Sequence, residues 1–230
     1  MPLATWRQEA LETSIASVSG TLFFIAMLGA YFLGSIPTGF LMARWMQVDI
    51  TRVGSGNIGA TNVFRILGKG PGALVLFVDL AKGFVAVWAL PILLIELTRV
   101  GSPWLSEGAA IGVVLGHNYT CWLRFKGGKG IATSAGALAA LIPGPFLIVF
   151  ITWLLVFGLS RYVSLASIAA ALALPIATVL SLQGEMSLPL VGLTTVLSAL
   201  AIWRHVPNIR RLIAGTESRV GAGHKAETVR

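Results

Sequence analysis

Long uninterrupted apolar stretches, of the length that crosses a lipid bilayer, constrain this chain more than any other feature of its sequence. A membrane helix needs about 20 predominantly apolar residues. Charged residues make up only 11% of the 230 residues, against about 25% in an average soluble domain. This composition excludes a disordered chain and argues against a water-soluble globule. The predicted fold is all-α, a polytopic membrane helix bundle with seven transmembrane helices. The predicted spans are residues 20–45, 71–97, 103–121, 131–142, 145–159, 162–182 and 187–203.

Two of these spans are short and could instead form one bent helix. Residues 131–142 and 145–159 flank a Pro-Gly-Pro sequence, and proline removes backbone donors and interrupts a helix. With seven spans, the loops on one side contain all of the 17 Lys and Arg residues except Arg7, Lys82 and Arg99. Fusing the two spans would scatter the basic residues over both sides. The positive-inside bias therefore favours seven spans, with the N-terminus outside and the C-terminus cytoplasmic.

Polar and glycine-rich residues concentrate in four segments on the predicted cytoplasmic side. These segments are residues 54–65, 125–134, 161–167 and 204–211. Loops carry function when a rigid scaffold holds them. The distribution therefore predicts a functional site on the inner face.

The segment Gly-Ser-Gly-Asn-Ile-Gly-Ala-Thr-Asn at residues 54–62 is predicted to bind an anion. Its three glycines let the backbone turn tightly and aim several N–H groups inward. A short helix is expected to begin near Ala60, and a helix N-terminus behind a glycine-rich loop is suited to phosphate. Arg65, about one turn into that helix, could bind the same anion with two nitrogens. The alternative is a turn that merely connects two spans, which would not need this density of donors.

The segment Lys-Gly-Gly-Lys-Gly at residues 126–130 repeats this pattern before another predicted helix. Two ammonium groups on a flexible loop would attract a phosphate. The P-loop pattern is not satisfied, because Lys129 is followed by Gly130. The alternative is an ordinary positive-inside loop.

Two further pairs of polar residues lie at helical spacing. Ser164 and Ser167 share a helix face and could add phosphate contacts, although serines in membrane helices also bond to backbone carbonyls. Asp79 and Lys82 can form an ion pair within the second predicted span. A charged residue within a membrane span is energetically costly, which favours a functional role. A structural ion pair that supports the loops is an equal alternative.

The sequence offers few candidates for a general base. His117 and His205 lie near the inner ends of predicted spans. No histidine begins a His-x-x-x-x-Asp pattern, and there is no G-x-S-x-G elbow. Zinc-ligand spacing is also missing, so no metal and no cofactor are expected. This pattern favours chemistry in which positioning and charge stabilisation dominate.

Six motifs, in the same order over residues 20–217, resemble the bacterial acyl-phosphate:glycerol-3-phosphate acyltransferases. They read GSIPTG at 34–39, GSGNIGATN at 54–62, DLAKG at 79–83, GHNY at 116–119, FKGGKG at 125–130 and HVPNIRRL at 205–212. The resemblance implies a seven-span enzyme of the bacterial inner membrane with its active site facing the cytoplasm. Such an enzyme transfers a fatty acyl group from acyl phosphate to the 1-hydroxyl of glycerol 3-phosphate, giving lysophosphatidic acid and phosphate. It is thought to use substrate assistance, in which a phosphate oxygen takes the hydroxyl proton.

The resemblance also implies roles for individual residues. Ser55 and Arg65 would belong to a phosphate-binding loop, Lys129 and Ser167 would hold substrate phosphate, and His205 and Asn208 would complete the pocket. The predicted catalytic residues are Ser55, Arg65, Lys129, His205 and Asn208. The predicted substrate-binding residues are Gly54, Gly56, Asn57, Gly59, Thr61, Asn62, Lys126, Gly127, Gly128, Ser164 and Ser167. The roles of Asp79, Lys82 and His117 are left open between support and chemistry.

The expected organisation has three parts: an extracytoplasmic segment at 1–19, the membrane acyltransferase domain at 20–214 and a flexible cytoplasmic tail at 215–230. The expected partners are acyl phosphate, glycerol 3-phosphate and the lipid bilayer, with the protein acting as a monomer. A nucleic-acid partner is not expected, because the positive-inside bias accounts for the net charge of +8. The alternative function is a multi-pass transporter of an organic anion. Transporter sites often lie at mid-membrane between repeats, whereas the polar motifs here lie at one face.

Overall fold

The computed structural model describes residues 3–182 and 187–221, with side chains from residue 17 onward. Within those ranges all regular secondary structure is helical and there is no β-strand, which confirms the predicted all-α class. One short 3₁₀ helix, Cys121–Leu123, precedes the second glycine-rich loop. The α-helices are α1 (Leu3–Ser35), α2 (Thr38–Trp45), α3 (Ala60–Leu67), α4 (Lys69–Thr98), α5 (Leu105–Asn118), α6 (Ile131–Leu141), α7 (Pro143–Ser160), α8 (Val163–Ser181), α9 (Leu188–Arg204) and α10 (Val206–Ile213).

Several of these helices have the length and apolar composition of membrane spans. In the described ranges they are Ser17–Trp45, Lys69–Thr98, Pro143–Ser160 and Val163–Ser181. The first of these combines the end of α1 with α2. α9 and α10 meet the same criteria when taken together, with a bend of 55° between them. α6 is apolar but has 11 residues. The helices thus support four or five spans, and the count of seven stays a prediction.

Prolines mark two of the helix breaks. The predicted span 20–45 is interrupted, because α1 ends before Ile36 and α2 begins after Pro37. Proline disfavours helical geometry in the residue before it and lacks an N–H group. The same effect separates α6 from α7, where Ile142 leaves helical geometry (φ −141°, ψ 71°) immediately before Pro143. The structure therefore has two separate helices near 131–142 and 145–159, as the prediction of two spans requires.

The chain divides into two compact units, Met1–Pro143 and Gly144–Arg230. In the first unit, α1 packs along α5, and α4 packs along α6. A Cβ added at Gly112 or Gly116 of α5 would overlap the backbone of α1, and one at Gly136 of α6 would overlap the backbone of α4. Lipid supplies no hydrophobic force between helices, so small residues that allow close approach do the packing. These contacts fix the ends of α5 and α6, which flank the glycine-rich loop.

In the second unit, α8 packs against α9, and α10 contacts both helices. The residues after α10 also make contacts. The Val220 N–H donates to the Arg161 carbonyl at 2.9 Å, and the Arg219 guanidinium lies 5.1 Å from the centre of the Tyr162 ring. The first part of the predicted flexible tail, 215–230, is therefore tied to the start of α8, and residues 222–230 lie outside the described residues. At the other end, the predicted boundary at residue 20 falls inside α1.

Candidate functional site

The first glycine-rich loop joins α2 to α3 and is organised by one buried side chain, Asn62. Its Oδ1 accepts the Ser55 N–H at 3.0 Å. Its Nδ2 donates to the carbonyls of Val53 at 3.1 Å and Ile50 at 3.4 Å. Asn62 is 2% exposed. It therefore shapes the loop from within, and its amide groups serve the loop backbone rather than the surface where a substrate would bind.

Some of the other residues of this loop set the shape of its backbone, and others are exposed at its surface. Gly54 (φ +61°) and Gly56 (φ +68°) have left-handed backbones that glycine adopts without strain. Asn57 Oδ1 accepts the Gly59 N–H at 2.8 Å in a local turn just before α3. Ser55 and Thr61 are exposed at the surface of the loop. The predicted helix at Ala60 is present as α3.

Arg65 lies in the last turn of α3 and is half-buried. It is thus displaced from the N-terminal end of the helix, where backbone N–H groups would favour an anion. A contact between Arg65 and a phosphate would depend on the reach of its guanidinium and not on the helix dipole. Its role in anion binding stays a prediction.

The second glycine-rich loop rests on the last two residues of α5. The N–H of Gly128 donates to the His117 carbonyl at 3.0 Å, and the N–H of Gly127 donates to the Asn118 carbonyl at 3.1 Å. A Cβ at Gly127 would overlap the His117 carbonyl oxygen, and a Cβ at Gly128 would overlap the His117 ring. We call His117 and Asn118 the loop floor, because they support the loop through both backbone and side chain.

This geometry gives a different reason for glycine at positions 127 and 128. Gly127 and Gly128 are predicted to be substrate-binding residues, but their N–H groups bond to the loop floor. Glycine is needed here because the loop approaches the floor too closely for a side chain. The side-chain donors of this loop are its two ammonium groups, of which Lys126 is exposed and Lys129 is half-buried.

Asp79 and Lys82 form the predicted ion pair on α4, with Lys82 Nζ 2.9 Å from Asp79 Oδ1. Lys82 also donates to the Ile36 carbonyl at the break between α1 and α2, at 2.9 Å. Asp79 Oδ1 lies 3.6 Å from His117 Nδ1. The same ring nitrogen lies 3.1 Å from Thr133 Oγ1 in the first turn of α6. The pair therefore connects to the loop floor.

In the second unit, Glu217 accepts hydrogen bonds from three donors on two helices, α8 and α10. Its Oε1 accepts from Ser164 Oγ at 2.7 Å and from Asn208 Nδ2 at 2.7 Å. Its Oε2 accepts from Arg211 Nε at 2.7 Å. Partial burial alone would raise the pKa of the Glu217 carboxyl, but these hydrogen bonds and the Arg211 charge outweigh it, so the pKa lies below its ordinary value. We call these four residues the Glu217 cluster.

Ser167 and His205 also have protein partners in the second unit. The Ser167 hydroxyl donates to the Val163 carbonyl at 2.8 Å and accepts from Trp153 Nε1 at 3.2 Å. This is the backbone bond that serines in membrane helices commonly make. His205 Nδ1 lies 2.8 Å from the Ala201 carbonyl. Because a carbonyl only accepts, Nδ1 carries the proton, and Nε2 of the neutral ring is then an acceptor.

Sequence reasoning missed three residues that organise these groups: Glu217, Thr133 and Asn118. Glu217 lies in the segment predicted to be a flexible tail, yet an acid four residues after a helix with a basic last turn is a signal for a local ion pair. Asn118 lies in the GHNY motif and Thr133 in the polar segment 125–134, but neither carries a charge. Within residues 3–182 and 187–221, no cluster of three or more His, Cys, Asp or Glu residues could hold a metal ion.

The helices and polar loops define an all-helical membrane protein with glycine-rich and cationic segments. A family model described as "Glycerol-3-phosphate acyltransferase" matches residues 24–215. The chain belongs to this family. A glycerol-3-phosphate acyltransferase of Desulforamulus reducens is 48% identical, over 85% of this chain and 94% of the relative. One of Thermus thermophilus is 47% identical, with the same coverage of both chains.

Two solved structures are also similar to this chain. Both are crystal structures of PlsY (YgiH), described as an integral membrane glycerol 3-phosphate acyltransferase. The glycerol 3-phosphate form is 40% identical and has a TM-score of 0.75, over 86% of this chain and 96% of that chain. The lysophosphatidic acid form is 39% identical and has a TM-score of 0.72, over 86% and 95%. The similarity supports a multi-pass membrane protein, in agreement with the apolar helices described above.

Proposed function

We propose that this protein transfers a fatty acyl group from acyl phosphate to the 1-hydroxyl of glycerol 3-phosphate, giving lysophosphatidic acid and inorganic phosphate. The observation that carries the proposal is the pair of PlsY structures. One is in a glycerol 3-phosphate form and the other in a lysophosphatidic acid form. These two molecules are the acceptor and the product of one acyl transfer. At about 40% identity over most of both chains, the same acceptor and product are expected here.

Acyl phosphate is the donor that best fits the side chains available. It is a mixed anhydride, so the bond between the acyl carbon and the phosphate oxygen breaks readily. The 1-hydroxyl oxygen of the acceptor forms the new ester bond, phosphate departs, and one of its oxygens takes the hydroxyl proton. This step needs stabilisation of the departing charge more than a strong protein base, which suits a chain with cationic loops and without a His-x-x-x-x-Asp pattern.

In the first unit we assign phosphate binding to exposed and half-buried groups. Ser55 offers an exposed hydroxyl, while Arg65, Lys126 and Lys129 offer charge-assisted hydrogen bonds. Gly54, Gly56, Asn57, Gly59 and Asn62 give the first loop its shape, and Gly127 and Gly128 seat the second loop on its floor. Thr61, exposed at the start of α3, is proposed as a further donor.

In the second unit we assign substrate contacts to His205, Asn208, Ser164 and Ser167. Asn208 and Ser164 already share the Glu217 carboxylate, which sets the direction of their remaining polar groups. His205, whose Nδ1 lies 2.8 Å from the Ala201 carbonyl, is assigned a contact with a substrate hydroxyl. Ser167 keeps a second lone pair for a ligand donor in addition to its bond from Trp153.

We also propose the topology that the charge distribution favours. Seven spans would place the N-terminus outside and the C-terminus in the cytoplasm. The site would then face the cytoplasm from a bacterial inner membrane, and the protein would act as a monomer. Tagging each predicted loop for accessibility in intact cells tests this arrangement, and a tag in the 126–130 loop that reacts only from outside would refute it.

The direct test is an assay of the purified protein with palmitoyl phosphate and glycerol 3-phosphate. Palmitoyl-CoA and palmitoyl acyl carrier protein serve as parallel donors. Lysophosphatidic acid and equimolar phosphate should form with palmitoyl phosphate alone. Ester formation with either thioester at a comparable rate would contradict the proposed donor. In vesicles loaded with the protein, uptake of glycerol 3-phosphate without ester formation would favour the organic-anion transporter instead.

Lys129→Ala sharpens this assay. Removing one cationic donor at a developing charge costs about 100-fold or more in rate, so kcat/KM should fall by about that factor while the protein still inserts and folds. Arg52→Ala is the matched control, because Arg52 is an exposed cation in the first loop region that pairs with Asp49 at 3.1 Å. Equal activity in the two variants would remove Lys129 from the mechanism.

A further inference from the structure

A continuous chain of buried polar contacts in the first unit is not used by the proposed chemistry. It begins where Lys82 holds the Ile36 carbonyl between α1 and α2. It continues through the Lys82–Asp79 ion pair on α4 and reaches His117 at the end of α5. It ends at Thr133 in the first turn of α6. These four contacts join the α1–α2 junction to α4, α5 and α6. We call the four side chains Lys82, Asp79, His117 and Thr133 the polar chain.

The placement of the ion pair shows that packing is not a sufficient explanation for the polar chain. The side chains of Asp79 and Lys82 are 2% and 5% exposed. Asp79 is ten residues into α4, about 15 Å along a helix that is long enough to cross a membrane. Well-packed apolar residues stabilise a buried position as well as an ion pair does, or better. Charges at membrane depth therefore point to a role beyond stability.

The polar chain leads to the glycine-rich loop through His117. The carbonyl of His117 accepts the Gly128 N–H. On the same residue, the imidazole ring packs so closely against Gly128 that an added Cβ there would lie 2.9 Å from the ring Cδ2. The orientation of this ring therefore decides where Gly128 can lie. Lys129 is the next residue, so its backbone starts from a position that the ring sets.

We infer that Asp79, Lys82, His117 and Thr133 are positioning residues, which hold the loop 126–130 in the geometry that lets Lys129 receive a phosphate group. Thr133 and Asp79 approach the same ring nitrogen of His117 and fix its rotation, while Lys82 anchors Asp79 to the α1–α2 junction. The identity of the phosphate group as that of glycerol 3-phosphate rests on the proposed function. The coupling between the polar chain and the loop does not.

Two substitutions at Thr133 separate positioning from packing. Thr133 is fully buried. Thr133→Val keeps the volume and removes the hydroxyl that faces His117, whereas Thr133→Ser keeps the hydroxyl and removes a methyl group. Positioning predicts that the valine variant is impaired and the serine variant is close to the unmodified protein. Packing alone predicts the reverse order, because the smaller side chain leaves a cavity.

The kinetic test compares the change in KM with the change in kcat in the acyl-transfer assay. In Thr133→Val the KM for glycerol 3-phosphate should rise about tenfold, equivalent to about 1.4 kcal/mol, with kcat changed much less. In Thr133→Ser both constants should stay near those of the unmodified protein. His117→Asn should retain more activity than His117→Ala, because the asparagine amide can occupy the place of ring Nδ1. Equal KM values in the valine and serine variants, or a larger KM in the serine variant, would overturn the inference.

A second readout does not depend on the reaction. Amide hydrogen exchange of the segment 126–130 should be faster in Thr133→Val than in Thr133→Ser, and inorganic phosphate should bind more weakly to the valine variant in calorimetric titration. If the unmodified protein forms no lysophosphatidic acid, the proposed function fails by itself. Exchange and phosphate binding then still decide the inference, and identical values in the two variants would overturn it.

Discussion

The glycine-rich loop of the first unit and the Glu217 cluster of the second unit both order predicted site residues, but they do so with opposite chemistry. The loop is seated by neutral backbone bonds from Gly127 and Gly128 to the loop floor. The Glu217 cluster is held by one carboxylate that accepts from Ser164, Asn208 and Arg211. The loop should therefore be sensitive to side-chain volume, whereas the cluster should tolerate volume changes and be sensitive to the loss of its carboxylate charge.

Glu217→Ala should have the largest effect on stability. It leaves three donors without their shared acceptor, two of them on the buried residues Ser164 and Asn208. Each hydrogen bond to a charged group contributes about 1.5–3 kcal/mol, and because the contributions overlap we expect a loss of about 3 kcal/mol. Thermal unfolding in detergent measures it. Glu217→Gln, which can still accept from Ser164 and Asn208, is the control and should lose less. An alanine variant as stable as the glutamine variant would contradict the importance of the shared acceptor.

Gly127→Ala should come next. Its Cβ would overlap the His117 carbonyl oxygen and approach the Asn118 carbonyl carbon at 2.8 Å, so the loop must move off its floor. Overpacking of this kind costs about 1–3 kcal/mol, and acyl transfer should fall with it. Gly70→Ala is the matched control, because a Cβ at Gly70 meets no atom within 4 Å. If both variants behave alike in unfolding and activity assays, the close seating of the loop is not what the glycine provides.

Ser164→Ala should have a smaller effect, confined to the second unit. It removes one of the bonds that Glu217 accepts, which is worth about 1.5 kcal/mol in unfolding free energy. Because that bond favours the ionised carboxylate, its loss should also raise the pKa of Glu217. Carbon-13 NMR of the labelled glutamate carboxyl, titrated in both proteins, measures the shift. An unchanged titration would mean that Asn208 and Arg211 alone hold the carboxylate.

The smallest expected effect is the difference in acid sensitivity of stability between the unmodified protein and Glu217→Gln. The pKa of Glu217 is lowered in the folded protein, so its contribution to stability is fully present above its unfolded value of about 4.5 and is lost as the pH falls through the folded value. Between pH 7 and pH 3 the unmodified protein should therefore lose more stability than Glu217→Gln. Equal pH dependence in the two proteins would show that the carboxylate charge contributes nothing.

Much of the architecture could be predicted because hydropathy reports helices directly. The long apolar stretches became α4, α7, α8 and α9 with boundaries shifted by a few residues, and the short helix expected at Ala60 is α3. Proline was less informative. Pro37 and Pro143 accompany breaks, but Pro91 and Pro175 lie inside α4 and α8. Tertiary packing decides whether the freed carbonyl is satisfied, and a single sequence does not report that packing.

The site was predictable in its residue types and less so in its geometry. Gly127 and Gly128 were predicted to bind substrate, and the structure uses their N–H groups for the loop floor. Likewise, Asn62 was predicted to contact substrate, but its amide is used inside the loop. Sequence patterns identify donors, whereas the direction of each donor depends on the segments packed beneath it. The predicted site roles stay predictions.

The length of α6 has a consequence for where the reactants could meet. Eleven residues span about 16 Å, roughly half of a hydrocarbon layer of about 30 Å. If α6 crosses as proposed, at least one of its ends lies below the headgroup level or the bilayer thins around it. Backbone groups at that depth need an aqueous inlet or protein lining. Such an opening would let glycerol 3-phosphate and the proposed acyl donor react at the same depth. Glycerol 3-phosphate would remain in contact with water, and the acyl chain would remain among the lipid tails.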